Sequence, residues 1–414
     1  MATKIGYGDL YERWEKGNWS ATALDFDQDK TDWNEVFTPF ERKAALWNYS
    51  LFFHGEDSVA DNLSPYIDAA PHEEQKYFLT TQQVDEARHA VFFARFMREV
   101  VGIGGESISS SLEATRPDLT WGFKKVFERL DTMADELRKD RSRPKLAAAI
   151  TLYHFVVEAT LAQPGQHFIE SYLKDRGMLP GFTEGMTNVS LDEQRHIGFG
   201  VRCLYDLNRE DPDCAYAVAD LLREIVTVSV GVFVPPNWDE RYVTTFGKTL
   251  EDVYEEGMNS LESKMRAAGL PIEELPGAPV FPRGLSVKER TANALTLLRA
   301  NYLGEKFGPP SRDPETVALM FDVISRSMAD DGDRPTTLQW EFADAEPWFV
   351  RVDNGSTYAH QGRAESPDMT LACRFEDWVD IAAGREDPRR AMLRGKLRPK
   401  GNPLRMWRAR SVLG

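Results

Sequence analysis

A five-residue block that occurs twice, Asp85-Glu86-Ala87-Arg88-His89 and Asp192-Glu193-Gln194-Arg195-His196, constrains this chain more than any other feature. Each block spaces a Glu and a His at i, i+3, so both side chains leave one face of a helix. Such a pair on each of two helices supplies half of a two-metal carboxylate site inside a four-helix bundle, and one carboxylate from each of two further helices supplies the rest. Glu56 and Glu158 stand upstream of the two blocks in those places. The order is therefore carboxylate, Glu-x-x-His, carboxylate, Glu-x-x-His. A lone Glu-x-x-His is more often a solvated Glu beside an ordinary His; the repetition with its upstream partners carries the metal reading.

The expected ligands are Glu56, Glu86, His89, Glu158, Glu193 and His196. Carboxylates and imidazoles suit iron or manganese, and no thiolate is present to draw zinc or copper. Four anionic ligands nearly neutralise two divalent ions and leave positions open for oxygen. Glu86 and Glu193, each on the same helix as its His, are the expected bridges between the ions. Asp85 and Asp192 face away from the ligand side of their own helices, where each can accept a hydrogen bond from a ligand His of the neighbouring helix. The plainer alternative is that Asp85, Arg88, Asp192 and Arg195 form surface ion pairs.

With 414 residues the chain suggests two domains, and 42% hydrophobic residues is enough for sizeable cores. A net charge of −16 argues against a nucleic-acid partner. The three cysteines, Cys203, Cys214 and Cys373, have no metal-ligand or paired spacing and suit a reducing cytoplasm. Residues 1–10 lack the basic start and apolar core of a signal peptide. The apolar run Ile225–Pro235 is too short to span a bilayer, so a soluble, non-transmembrane protein is expected.

Residues 1–37 carry Trp14, Trp19 and Trp33 without periodicity and read as an arm packed on the bundle. Thr38-Pro39-Phe40-Glu41 is a capping box that opens a helix through Glu56 and Val59 to Pro65. A long helix over 71–101 carries the first block. Asp118 is expected to cap a third helix, and Pro144 to open a fourth over 145–174 that Pro164 kinks. The fifth, over 181–207, carries the second block. Residues 215–234, 242–268 and 286–305 read as further helices, with a loop over 271–284. A linker at 308–314 follows, then a helix over 315–328, short alternating strands, a helix over 375–383, a short helix to Leu393 and a last strand. The expectation is an all-α bundle over 38–307 and a small α+β domain over 315–414.

The bundle resembles the ribonucleotide reductase small-subunit superfamily of ferritin-like proteins, and within it the ligand-binding oxidases. That branch is known for a Tyr–Val ether crosslink beside a mixed manganese–iron site, with Val three residues after the first carboxylate and Tyr five before the third. Here those positions are Val59 and Tyr153. The resemblance implies manganese with Glu56, Glu86 and His89, iron with Glu158, Glu193 and His196, and a long-chain fatty acid at the metals. The position of the reductases' radical tyrosine, four residues after the first ligand His, is Phe93. A folded domain also stands where a reductase subunit would carry a flexible docking tail. That domain is similar to the sterol carrier protein type-two family through Asp368-Met369-Thr370-Leu371, Phe375-Glu376-Asp377-Trp378, Gly384, Asp387-Pro388, Ala391, Gly395-Lys396-Leu397 and Gly401.

The residues and the resemblance together lead to an oxygen-dependent dinuclear oxidase or oxygenase, Mn/Fe or Fe/Fe. Its substrate would be hydrophobic, an acyl chain or fatty acid, with O2 as co-substrate and an electron donor as a possible partner, in a cytoplasmic homodimer. Two alternatives stay open: a lipid-binding protein whose metal site is self-oxidising or structural, and an N-oxygenase or desaturase of the same fold. His54, His72, His154, His167 and His360 are read as core or surface histidines rather than ligands, and Phe52, Phe53, Phe92, Phe93 and Phe96 as core.

Overall fold

Thr38 opens the first ligand helix, α3 (Pro39–Asn62), with a reciprocal cap: its hydroxyl accepts from the Glu41 amide at 3.2 Å, and the Glu41 carboxylate accepts from the Thr38 amide at 2.7 Å. In the computed structural model, which describes residues 5–277, 282, 284–328, 335–353 and 355–401, α3 belongs to a helical unit formed by Met1–Leu221 and Val232–Pro271. A second unit comprises Leu222–Gly231 and Ile272–Gly414.

Ahead of α3, the arm is helical after all, with α1 (Tyr7–Lys16) and α2 (Asp27–Thr31) running into a π-helical turn, Asp32–Val36. After α3 come a short α4 (Ser64–Ala69) and α5 (Glu73–Phe96), which carries the first block. A π-helical turn, Met97–Val101, prolongs α5 until Gly102, at φ 77°, ends it. The helix α6 (Ile108–Thr115) was not anticipated. The next helix, α7 (Trp121–Lys139), is capped by Thr120 rather than Asp118. The Thr120 hydroxyl reaches the amide of Phe123 at 3.1 Å, whereas Asp118 closes a separate 3₁₀ turn and sits too early to do so.

The fourth long helix has three parts: α8 (Arg143–Ile150), a π-helical stretch Thr151–Ala162, and α9 (Gln163–Arg176). Pro164 was expected to kink this helix, and the disturbance extends upstream of it. Pro164 stands in the first turn of α9, where its missing N–H costs little, and the twelve residues before α9 take the wider winding, Tyr153, His154 and Glu158 among them. Wide turns of this kind concentrate at functional sites. By length and composition Arg143–Arg176 could cross a membrane, yet 78% of its apolar window is buried inside the protein.

The helix of the second block, α10 (Pro180–Glu210), starts against the arm. Its free N-terminal amides are taken by two aspartates: Asp32 accepts from Leu179 at 2.8 Å, and Asp29 accepts from Gly181 at 2.9 Å and Phe182 at 2.7 Å. Gly200 lets α10 approach the π-helical stretch closely, since a Cβ there would lie 2.4 Å from that of His154. The chain continues through α11 (Asp213–Ser229), α12 (Arg241–Thr244) and α13 (Leu250–Ala267). The single helix expected over 242–268 is thus two, broken at Gly247, at φ 76°, and restarted by a Thr249–Asp252 capping box.

The second unit holds α14 (Val287–Arg299), α15 (Pro314–Ser327) and a five-stranded sheet: β1 (Thr336–Phe342), β2 (Trp348–Asp353), β3 (Ser356–Gln361), β4 (Met369–Cys373) and β5 (Leu397–Lys400). The strand order is β3-β2-β1-β4-β5, with β1 and β4 parallel and the other pairs antiparallel. Buried and half-buried residues alternate along β2 and β4, the pattern of a sheet with one covered face. Phe321 stacks on Trp348 at 4.7 Å, and Leu297 and Tyr302, which precede the expected linker, join this core. The helices α16 (Phe375–Ala382) and α17 (Pro388–Leu393) lie between β4 and β5. The loop expected over 271–284 falls partly outside the described residues.

Candidate metal centre

Six side chains from α3, α5, the π-helical stretch and α10 converge in the helical unit. Glu56, Glu86, His89 and Glu193 offer ligand atoms within 4.8 Å of one another, and so do Glu86, Glu158, Glu193 and His196. The two clusters share Glu86 and Glu193, and all six residues are buried. The local reason is helical pitch: i, i+3 within each block and one inward Glu on each flanking helix.

The imidazoles are oriented alike. His89 Nδ1 lies 3.1 Å from Glu56, 3.4 Å from Glu86 and 3.7 Å from Glu193. His196 Nδ1 lies 3.2 Å from Glu86, 3.5 Å from Glu158 and 3.6 Å from Glu193. Each Nε2 faces outward and meets the aspartate of the other block: His89 meets Asp192 at 3.0 Å, and His196 meets Asp85 at 3.1 Å. This crossing leaves Nδ1 of both rings aimed at the carboxylates. Both aspartates are 1% exposed, so their ion pairs with Arg88 and Arg195 are interior ones. The arm completes the arrangement, with Trp14 Nε1 donating to Asp85 at 2.9 Å and Trp19 Nε1 to Asp192 at 2.8 Å. Sequence reasoning missed both roles, because an indole in a stretch without periodicity carries no local signal of its partner.

Four carboxyl groups this close in a dry interior cannot all be charged without cations. Burial lifts Glu56 to about 8. It also lifts Glu158, helped by Glu193, and Glu193, helped by Glu86. Burial pushes Glu86 upward too, but His196 and His89 outweigh it and hold that carboxyl well below the usual range. Burial likewise opposes charge on the two histidines; the carboxylates, led by Glu56 for His89 and Glu86 for His196, hold both well above the usual value. Glu86 Oε2, Glu158 Oε2, Glu193 Oε2 and His196 Nδ1 are buried with no hydrogen-bond partner. Three unpartnered carboxylate oxygens facing one another beside two imidazoles want positive charge, and this donor set fits a pair of hard or borderline cations.

A cavity of about 60 Å³ adjoins the carboxylates, room for several water-sized molecules. Glu56, Glu86, Glu158 and Glu193 meet it on one side, and Leu51, Phe52, Val59, Phe127, Val157 and Leu161 supply much of its apolar wall. Val59 therefore faces this space. Tyr153 does not line it; its buried hydroxyl donates to Glu86 at 2.6 Å. Phe52 is both core and wall, stacked on Phe93 at 6.2 Å. The other five histidines have separate partners: His54 with Thr115, His72 with Glu210, His167 with Glu256, His360 with the Phe349 and Tyr358 rings, and His154 with Gln82, which sequence reading also missed.

Fold and site together define a ferritin-like helical domain with a candidate dinuclear carboxylate–histidine centre, joined to a small mixed-sheet domain. The family described as "Ribonucleotide reductase, small chain" matches residues 6–231, and the chain belongs to it. The "SCP-2 sterol transfer family" matches residues 334–413. Among solved structures the chain is similar to an R2-like ligand-binding oxidase variant with anaerobically reconstituted Mn/Fe cofactor, at 26% identity and TM-score 0.55, covering 64% of this chain and 93% of that one. A second variant, with a non-activated Mn/Mn cofactor, gives the same four values. A third, aerobically reconstituted with Mn/Fe, has 26% identity and TM-score 0.53 over 64% of this chain and 93% of that one.

Proposed function

We propose that this protein is an oxygen-dependent dinuclear metal oxidoreductase that oxidises a hydrophobic, acyl-chain substrate delivered by its sterol-carrier-like domain. The observation that carries the reading is the pair of buried carboxylate–histidine clusters sharing Glu86 and Glu193 beside an apolar cavity. Glu56, Glu86, His89, Glu158, Glu193 and His196 would hold a Mn/Fe or Fe/Fe pair, the first three on the manganese side. When bound and reduced, the pair would supply the electrons that activate dioxygen for attack on a C–H bond.

The chain's own residues do the rest. Asp85 and Asp192 hold the two imidazoles with Nδ1 inward. Phe52, Val59 and Leu161 exclude water and offer an apolar surface to an alkyl chain. The Tyr153 hydroxyl keeps its proton and donates it in a hydrogen bond to Glu86, and burial first, then Glu86, keeps that hydroxyl from ionising. A homodimer in a reducing cytoplasm, served by a separate electron donor, completes the proposal.

A second reading, a lipid-binding protein whose metal site only oxidises itself, is favoured by the phenol hydrogen-bonded to Glu86 and the Val59 C–H bonds at the cavity wall. Oxygen uptake by protein loaded anaerobically with Mn(II) and Fe(II) separates the two. Sustained uptake that scales with added long-chain fatty acid supports the oxidase; a single stoichiometric burst, indifferent to the fatty acid, overturns it.

A further inference from the structure

The two halves of the site repeat in the candidate ligands themselves but not one helical turn earlier. Gln82 stands four residues before Glu86, and Val189 four before Glu193; His154 stands four before Glu158, and Phe52 four before Glu56. Gln82 and His154 are both fully buried. The amide nitrogen of Gln82 lies 2.9 Å from Glu158 Oε1, 3.1 Å from the Tyr153 hydroxyl and 3.4 Å from Oε1 of the shared Glu86, while its carbonyl oxygen lies 3.1 Å from His154 Nε2.

Chemistry fixes the direction of each bond. The Tyr153 proton is committed to Glu86, so the phenol oxygen accepts from Gln82. An amide oxygen only accepts, so His154 Nε2 is the donor. Burial holds His154 down to about 3, which makes it a neutral imidazole with its proton on Nε2. The bonds run from His154 through Gln82 to Glu158. One oxygen of Glu158 is thereby occupied, and the other, Oε2, has no partner. Its counterpart Glu56 bonds only with His89 among the described residues.

We propose that Gln82, anchored by His154, is a specificity-determining residue that makes the two halves unequal, so that the Glu158–His196 half holds a divalent cation more weakly than the Glu56–His89 half. The inference rests on the dinuclear reading above. Hard cations gain affinity with each fully charged carboxylate oxygen offered, and a donor already seated on Glu158 both withdraws charge and blocks one oxygen.

Anaerobic Mn(II) titration of the full chain, read by calorimetry and electron paramagnetic resonance, tests it. The unsubstituted protein should bind Mn(II) in two resolved steps. Gln82→Leu should tighten the weaker step by about tenfold, the size of a lost charge-assisted hydrogen bond, and move the tighter step, which Gln82 reaches only through its longer contact with the shared Glu86, by much less. His154→Phe, which installs the residue type found at 52, should act in the same direction through loss of the anchor. Two indistinguishable steps in the unsubstituted protein, or a weaker step unmoved in both variants, overturns the proposal. Failure of the unsubstituted protein to bind any Mn(II) overturns the dinuclear reading itself, and the proposal with it.

Discussion

Asp192, on α10, accepts a hydrogen bond at 3.0 Å from Nε2 of His89, on α5. Asp85 does the same for His196 at 3.1 Å in the opposite direction. Each block thus orients the histidine of the other, and each aspartate is steadied by an arm tryptophan. Asp192→Asn keeps the size and loses the charge, and its amide can present a donor to the ring. Metal affinity should fall by about 10–100-fold, measured by competition with a chelating dye. Unchanged affinity would reduce the crossed bonds to packing.

Glu86 and Glu193 belong to both clusters, whereas Glu56 and Glu158 belong to one each. Removing a shared ligand affects two ions at once. Glu86→Ala or Glu193→Ala should therefore lose most bound metal, and Glu56→Ala or Glu158→Ala should retain more. Elemental analysis of protein loaded under identical conditions reads this directly. Two full equivalents of metal in either shared-ligand variant contradicts the assignment.

Without metal, burial raises Glu56 from 4.5 to about 8. A carboxyl raised on folding contributes stability that is fully present below its unfolded value and is lost as pH climbs through the folded one. The metal-free protein should lose thermal stability between about pH 5 and pH 8. Ligation needs the same carboxyls deprotonated, so metal affinity should rise over that interval. The gap in Tm between metal-loaded and metal-free protein should accordingly widen with pH. A gap that is constant or shrinking across the window would show that Glu56 does not couple to the metals.

Val59 faces the cavity and the Tyr153 hydroxyl rests on Glu86. The tertiary β-C–H of Val59 lies one helical turn from Glu56. Loading Mn(II) and Fe(II) and admitting air should join the Tyr153 oxygen to the Val59 β-carbon, with O2 as oxidant and two hydrogens lost from the chain. Intact mass and a surviving linked peptide after digestion report the bond. Tyr153→Phe should bind metal normally without the mass change; the same mass loss in that variant would place the oxidation elsewhere.

Local rules made much of this legible. The i, i+3 spacing of Glu86 with His89 and of Glu193 with His196, the Thr38 capping box and the strand alternation of β2 and β4 involve residues a few positions apart. Their consequences follow from helix and strand geometry alone. Sequence therefore determined the order of the candidate ligands and the two-part architecture, a helical bundle followed by a small mixed sheet.

What it could not determine was which distant side chains meet. Trp14 reaches Asp85 across 71 positions and Trp19 reaches Asp192 across 173. Gln82 reaches Glu158 across 76. The wider winding of Thr151–Ala162 likewise has no local signature in the sequence, and α10 approaches that stretch at Gly200. Periodicity says which face of a helix is buried, but not what it is buried against. The partners of a buried donor are chosen when helices pack, by the need to satisfy every polar group taken out of water. That choice belongs to the tertiary structure alone.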